Sequence, residues 1–506
     1  MTTHSADVLA SDACTCDVLV VGLGPIGDVL TALLKTQGLS VIAIDKEADI
    51  YPLPRAAVFD EEIMRIFQMI GVSEAILPLC RVPPGYEFRT AAGEVLLGFT
   101  VSQGNGAGGW AQSYALHQPG VERVLRDRLA ALGADVRLST ALTEFAQDAD
   151  GVTARVTGRD GPCDIRARYI VGCDGAWSPV RETFGTSMFD YGFEEPWLVI
   201  DSIVKDGADF LPDMALQICD PAQPTTFLRM SGNRYRWEFM LKPGDDAETF
   251  AGDDNLARLL KPWNVEGRIE IERRAIYRFH GLIAKDWRKG RALIAGDAAH
   301  QMPPFAGQGM CSGIRDAANL AWKLAAVVRG AASEGLLDTY QIEREPHCRV
   351  IIETSIAFGQ TVCVLDPAAA AARDAGMLAA RAAGERPPMV PYPPLRGGCF
   401  GDDADAGSLF IQPIVAGERL DDRLGAGAWL ITRAEITTPG VSTARLGSDV
   451  LGEFSAPLTT WLDQRGAATV LVRPDRHVFG VGEPDALITA WQEELGMCSP
   501  KNTSAR

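Results

Sequence analysis

The segment Asp17-Val-Leu-Val-Val-Gly22-Leu-Gly24-Pro25-Ile-Gly27, followed by Val41-Ile-Ala-Ile-Asp45, constrains the fold of this chain more than any other. Its apolar stretch is long enough for one buried parallel strand. Gly22 permits a tight turn, Gly24 lets backbone approach a pyrophosphate, and Gly27 lets the next helix pack on the strand. A helix predicted over 25–37, opening on Pro25, directs its N-terminal amides and dipole at the phosphates. Gly38 ends it. A second strand, 40–45, terminates in Asp45, with Lys46 beside it, 23 residues after Gly22. A carboxylate there accepts hydrogen bonds from a ribose diol and repels a 2′-phosphate. The site therefore suits an adenosine dinucleotide without that phosphate.

Two further dinucleotide-type segments lie downstream. One is Tyr169-Ile-Val-Gly-Cys-Asp174-Gly175 with Arg181 beyond it; the other is Arg291-Ala-Leu-Ile-Ala-Gly296-Asp297-Ala-Ala-His300. A single glycine fingerprint is weak evidence, but three strand-ending segments at these separations describe a fold wrapped around one large cofactor. His300 beside Asp297 invites a catalytic reading, but packing near the cofactor loop is the better expectation.

Bulk properties narrow the partners. At 506 residues the chain should hold two or three domains. A net charge of −18 argues against nucleic acid or an acidic membrane surface as partner. No apolar run approaches a membrane span, and the N-terminus lacks the basic start and hydrophobic block of a secretory signal. Eleven cysteines, an odd number, cannot all pair internally, so reduced thiols and a cytoplasmic location are expected. No Cys/His spacing suits a metal, and none is expected.

The expected fold class is α/β: a Rossmann-like dinucleotide-binding domain carrying an inserted, mostly antiparallel substrate sheet, with a further α/β module at the C-terminus. Residues 1–75, 116–185 and 281–385 form the three parts of the first domain, the last with long helices near 312–330 and 336–366. Residues 76–115 and 186–280 form the substrate domain, where runs such as Arg236-Trp-Glu-Phe-Met-Leu alternate apolar and polar. Residues 386–399 read as a Pro/Gly-rich linker. Residues 400–506 form the module, with strands near 427–432 and 468–473 and a helix near 484–495.

Together the motifs resemble the FAD-dependent aromatic hydroxylases of the p-hydroxybenzoate hydroxylase fold, over about residues 15–370 and onward into the module. Within that group the chain looks most like the 3-(3-hydroxyphenyl)propionate hydroxylases. The strings that carry this are Leu53-Pro-Arg-Ala-Ala-Val-Phe-Asp60, Phe193-Glu-Glu-Pro-Trp-Leu198, Asn233-Arg-Tyr-Arg-Trp-Glu-Phe-Met240 and Val472-Arg-Pro-Asp-Arg-His-Val-Phe-Gly480. The resemblance implies that Asp174, Gly175 and Arg181 serve both FAD and the nicotinamide donor. It implies that Gly296-Asp297 meets the ribityl chain. It also implies that the loop Pro304, Gly307, Gly309 and Met310 presents backbone amides to the flavin ring. Gln118 matches a flavin-contacting position and Arg55 the arginine near the phosphates. Many relatives carry Asn where this chain has Cys311, which puts a side-chain contact there in doubt. Relatives also fold the C-terminal module like thioredoxin; Cys399 and Cys498 form no CxxC here, so packing is expected of it rather than redox chemistry.

The implied reaction is hydroxylation of a phenol or other small aromatic through an FAD C4a-hydroperoxide, with NADH or NADPH and O2 as co-substrates. The protein's tasks are to exclude water, to hold the ring and to help deprotonate the phenol. Candidate catalytic groups are Asp60, which also suits a helix N-cap, His117, Tyr235 and Tyr277; Arg234, Arg236 and Pro303 are candidates for holding the substrate. The resemblance leaves a homodimer open. Rivals are a same-fold flavoenzyme performing epoxidation, Baeyer–Villiger or ring-modifying chemistry, and a non-catalytic flavin binder. A halogenase is disfavoured by the missing Trp-x-Trp-x-Ile motif. The intact second motif argues against a passive binder.

Overall fold

The structure is a computed structural model that describes residues 14–205, 210–385, 392–438 and 440–496. Its first layer is an eight-stranded sheet. The strand Cys14–Val21 lies between two parallel neighbours, Gly161–Gly172 and Val41–Ile44. Asp135–Arg137 and Ala292–Ile294 extend the parallel array on either side. Central positions Val18, Leu19, Val20, Ile42, Ala43, Ile170 and Val171 are all buried, as a parallel sheet covered on both faces requires. The three dinucleotide-type segments thus leave adjacent parallel strands at the same sheet edge. Ligands bind outside the carboxyl ends of such strands.

The second layer is also eight-stranded. Its order is His300–Gln301, Ile269–Ala284, Met188–Val204, Arg234–Met240, Thr225–Arg229, Ala215–Ile218, Gly85–Arg89 and Val95–Thr100. Every pairing is antiparallel except that of Ala215–Ile218 with Gly85–Arg89. One face packs a separate hydrophobic cluster of Leu198, Ile200, Phe227, Tyr235, Trp237 and Phe239.

Residues 76–115 are divided more finely than their sequence suggested. Only the last two strands named above join the large sheet. Cys80–Arg81 and Ser113–Leu116 instead pair with Val58–Asp60 in a three-stranded sheet of their own. The helix predicted over 336–366 runs over Asp338–Val362, with Pro346 inside it, and a further helix not expected from the sequence, Pro367–Ala382, follows it, N-capped by Asp366. Asp366-Pro367 is a strong start signal, and it marks where this second helix begins. Of the predicted linker, residues 386–391 lie outside the described residues, as does Cys498.

The C-terminal module builds a four-stranded sheet in the order Ser442–Arg445, Trp429–Thr432, Thr469–Val472, Val478–Gly482. The first pair is parallel and the rest antiparallel; the helix Pro484–Glu494 follows. The module docks through buried charges. Arg65 donates to both oxygens of Asp421, at 2.9 and 2.7 Å, and Asp421 also accepts from Arg476 at 3.1 Å. Glu343 on the long helix Asp338–Val362 accepts from Arg473 at 2.9 Å and lies 2.8 Å from Lys323 on the helix Gly309–Val328. No single helix among the described residues is long and apolar enough to cross a membrane.

Candidate active site

Two glycines of the first turn are fixed by the protein itself. Gly22 has φ +94°, and a Cβ there would sit 2.5 Å from the Cys173 carbonyl oxygen; one on Gly27 would sit 1.9 Å from the Gly22 carbonyl oxygen. Gly24 differs: a Cβ there meets nothing within 4 Å, so open space lies over its backbone at the start of the helix Pro25–Thr36. The Asp45 carboxylate accepts from the Leu23 amide at 2.6 Å and the Glu47 amide at 2.8 Å, which leaves each oxygen one lone pair toward a ligand. Lys46 is exposed beside it. Arg126, unforeseen, pairs with buried Asp28 at 2.8 Å and donates to the Leu23 carbonyl, bracketing the turn from behind.

The second and third segments are tied together. Asp174 accepts from the Val180 amide at 3.0 Å through one oxygen, and its other oxygen is buried without a partner. Gly175 has φ +78° with open space beside it. Arg181 is buried and donates to the Ala298 carbonyl at 2.9 Å and the Ala176 carbonyl at 2.7 Å. Its guanidinium therefore braces one motif against the other. Asp297, which follows left-handed Gly296, lines the central cavity and has no hydrogen-bond partner among the described residues. Burial pushes its carboxyl up, against the pull of the nearby Arg55 guanidinium.

His300 lies behind this edge. Its Nε2 is 2.6 Å from Asp316, which also accepts from the Gly296 amide at 3.0 Å and from Arg344 at 2.9 Å. His300, Asp316 and Cys348 gather closely enough for a metal, a grouping the sequence did not suggest. Arg344 already brings a cation to both Asp316 and Cys348, however, so we read the cluster as a packed ion network.

The loop ahead of the helix Gly309–Val328 completes this end. Gly307 has φ +67°, and a Cβ there would lie 2.6 Å from Val58 Cγ2. Gln308, at the N-cap, makes no side-chain capping bond; its Oε1 accepts instead from Arg315 at 3.0 Å. The first amides of a twenty-residue helix are thus left without a side-chain cap, at Gly309 and Met310, both on the cavity wall. Cys311 turns inward toward the Val58 and Gly307 carbonyls, away from a ligand role. An open glycine cradle, a partnerless aspartate and an uncapped helix start are chemically suited to the pyrophosphate, polyol and carbonyl edge of FAD.

The cavity, of about 400 Å³, lies between this loop and the polar face of the second sheet. Several substrate-handling expectations need correction here. Tyr235 points to the other sheet face, packed with Phe227 and Trp237, because side chains alternate along the strand. Arg236 does line the cavity, but its donors are committed. It holds Asp201 at 2.7 and 3.1 Å, the Pro54 carbonyl at 2.6 Å and the Arg55 carbonyl at 2.8 Å. Arg234 pairs with Glu272 at 3.0 Å, outside the cavity lining. Tyr277 lies under the Arg273 guanidinium, 4.6 Å from ring centre to Cζ, and interacts with Tyr51; it does not line the cavity. Half-buried His117 precedes the helix Gln118–Ala131 and is likewise off the wall. Pro303 serves through its carbonyl, which accepts from Ser355 at 2.5 Å; its neighbour Pro304, not Pro303, lines the wall.

Asp60 is on the wall and combines both readings the sequence allowed. It N-caps Glu61–Met69 through the Ile63 amide and pairs with Arg315 at 2.6 Å. Gln118 lines the cavity too, while its Oε1 accepts from the Arg55 and Ala56 amides at 2.9 and 2.6 Å, fixing the strand that carries Arg55. The groups that sequence reasoning missed are Glu238, Tyr86, Gln217 and Thr226, all on the wall. Thr226 donates to Gln217 at 2.8 Å, and Tyr86 donates to the Phe305 carbonyl at 3.1 Å. A signal was available for Glu238. In Arg234-Tyr-Arg-Trp-Glu238-Phe the charged residues share one face, opposite three aromatics.

Known proteins bear on this site directly. Residues 15–355 match the family model described as an FAD binding domain. A probable NADH-specific resorcinol 4-hydroxylase of Rhodococcus jostii (strain RHA1) is 38% identical, covering 95% of this chain and 94% of its own. A 3-(3-hydroxy-phenyl)propionate/3-hydroxycinnamic acid hydroxylase of Mycolicibacterium smegmatis is 32% identical over 92% of this chain and 90% of its own. Among solved structures, aklavinone-11 hydroxylase in complex with FAD and aklavinone superposes with a TM-score of 0.77. That match has 25% identity and covers 95% of this chain and 99% of the other. With its glycine turn, partnered motifs and cavity, the chain belongs to the FAD-dependent aromatic hydroxylases, monooxygenases that draw on NAD(P)H and O2.

Proposed function

We propose that this hydroxylase acts on a small phenol of the resorcinol or hydroxyphenyl-acid type, with NADH as donor, and inserts oxygen beside an existing hydroxyl. The observation that carries the reading is the cavity. It joins the uncapped helix start at Gly309-Met310 to a wall bearing Glu238, Tyr86 and the Thr226–Gln217 pair. FAD, once bound and reduced by the donor, supplies the activated oxygen that an electron-rich ring attacks.

The chain's own residues do the rest. Gly24, the helix behind it and Asp45 hold the adenosine and pyrophosphate part. Asp297, with Arg55 near it, takes the polyol. Phe305 and Met302 wall the cavity and exclude water, while Phe305 is locked by edge contacts with Trp197 and Phe193 at 5.5 and 6.0 Å. Arg236 and Arg273 share Asp201 and pin the Pro54 carbonyl, which fixes the segment 54–60 over the site. For the C-terminal module, the strand order and directions, with a closing helix, support a thioredoxin-like fold without redox chemistry.

A panel of resorcinol, 3-(3-hydroxyphenyl)propionate and unsubstituted phenol, each with NADH and with NADPH, tests the proposal. We expect donor oxidation coupled to a hydroxylated product for one of the first two with NADH. Donor oxidation that no phenol accelerates would sink it.

A further inference from the structure

We propose that Glu238 takes the proton of the substrate's phenol, so that the ring is presented as its phenolate. The proposal rests on the hydroxylase reading above and adds the catalytic residue.

Glu238 is 5% exposed, yet it lies on the cavity wall. Its carboxylate has no hydrogen bond among the described residues. Arg236, two residues along the same strand, brings Nη1 only to 3.8 Å, and that nitrogen already donates to the Arg55 carbonyl. A buried carboxylate in reach of a cavity, with neighbouring charge but no protein donor, suits a ligand hydroxyl. Cross-strand neighbours extend the polar floor: Thr226 sits opposite Glu238, and Gln217 opposite Thr226. Tyr86, from the strand beyond, completes it.

Asp60, the other acid on the wall, is unsuited. One oxygen caps a helix and the other holds Arg315 at 2.6 Å, so both are committed to donors of the protein itself.

Charge balance favours the transfer. The charged groups facing Glu238 are Arg236 on its own strand, Asp201 from Met188–Val204 and Arg273 from Ile269–Ala284. Two cations therefore face one anion, Asp201, and can balance one further negative charge. In the proposed resting state that charge is on Glu238. When a phenol enters, its O–H bond breaks, the electron pair stays on the phenol oxygen, and a new O–H bond forms on Glu238. The negative charge moves to the ring oxygen and the net charge of the buried group is unchanged. Burial separately pushes the Glu238 carboxyl up, which brings it nearer to a phenol and makes it a stronger base.

The test uses FAD-loaded enzyme with resorcinol as substrate and 4-nitrophenol as a spectroscopic probe. Glu238→Gln should retain FAD and lose at least about 100-fold in kcat/KM for resorcinol. It should also lose the acid limb of the wild-type pH profile, with Glu238→Asp recovering part of both. Below the probe's own pKa, 4-nitrophenol should bind wild type as the phenolate, by difference spectrum, and E238Q as the phenol. Equal rates and equal pH profiles in wild type and E238Q would overturn the role of Glu238 while leaving hydroxylation intact. Should E238Q lose its FAD, the wild-type spectrum decides alone: a neutral bound probe overturns the proposal. A wild type that hydroxylates no phenol refutes the underlying reading instead.

Discussion

Glu343→Gln puts the docking of the C-terminal module at risk in a way that can be estimated. The Glu343 carboxylate accepts from Asn319 at 2.7 Å, from Arg473 at 2.9 Å and from the Cys399 amide at 2.9 Å, and it lies 2.8 Å from Lys323. The Lys323 and Arg473 side chains are wholly buried. Arg473 keeps Asp475 at 2.5 Å, but Lys323 has no other carboxylate partner among the described residues. Removing one partner of a buried ion pair costs about 3–5 kcal/mol. Melting entropy of about 2.1 cal/mol/K per residue over 506 residues makes 1 kcal/mol worth about 1 °C, so the midpoint should fall by about 3–5 °C. Scanning calorimetry of the FAD-loaded protein at neutral pH reads it. The sign of the pH effect is fixed as well. Burial drives Lys323 down from 10.5 to about 8, so the unfolded chain binds the extra proton between those values and stability from this group rises across that window. Glu343 raises Lys323, so the variant's folded Lys323 sheds its proton at a lower pH than the wild type's, and the deficit should shrink as pH rises toward about 8 and level off above it. A midpoint within about 1 °C of wild type at neutral pH would refute the reasoning.

Other outcomes follow from single positions. Gly24→Val should fold with a near-normal midpoint and purify without FAD, since its side chain enters open space where the cofactor belongs; Gly27→Ala should lose both, because 1.9 Å to the Gly22 carbonyl oxygen forces the helix off the strand. Absorbance of the purified variants separates the two. Alkaline titration should unfold the protein: Cys16, Cys80, Cys219 and Cys399 are pushed by burial from 9.0 to about 12. Folded thiols stay protonated where unfolded ones ionise, so this stability is present below pH 9.0 and is lost as pH rises toward about 12; four such groups outweigh the opposite trend of Lys323. Circular dichroism against pH checks it, and a midpoint constant through that window would contradict it.

The cofactor half of the site was legible because its requirements are local. A left-handed Gly22, a close-packed Gly27 and an acid ending the second strand each leave a mark in the sequence. The substrate half was not, because its residues meet only through sheet register. The alternation of Arg234–Met240 was visible, but which face met the cavity was not, and Tyr235 was placed on the wrong one. Arg236 reads as an available cation in the sequence and is a committed one in the fold, since Asp201 lies opposite it on the next strand, 35 positions away. Gln118 and Arg181 were singled out by family position. Their bonds to the backbone at 55–56 and at 176 and 298 are long-range and leave no local pattern.

Incubating the FAD-loaded enzyme with NADH, resorcinol and isotopically heavy dioxygen tests the central claim most directly. Mass analysis should find one heavy oxygen atom in a ring-hydroxylated product, formed in step with NADH oxidation. A product whose new oxygen comes from water, or NADH oxidation that yields only peroxide with every phenol tried, would contradict it.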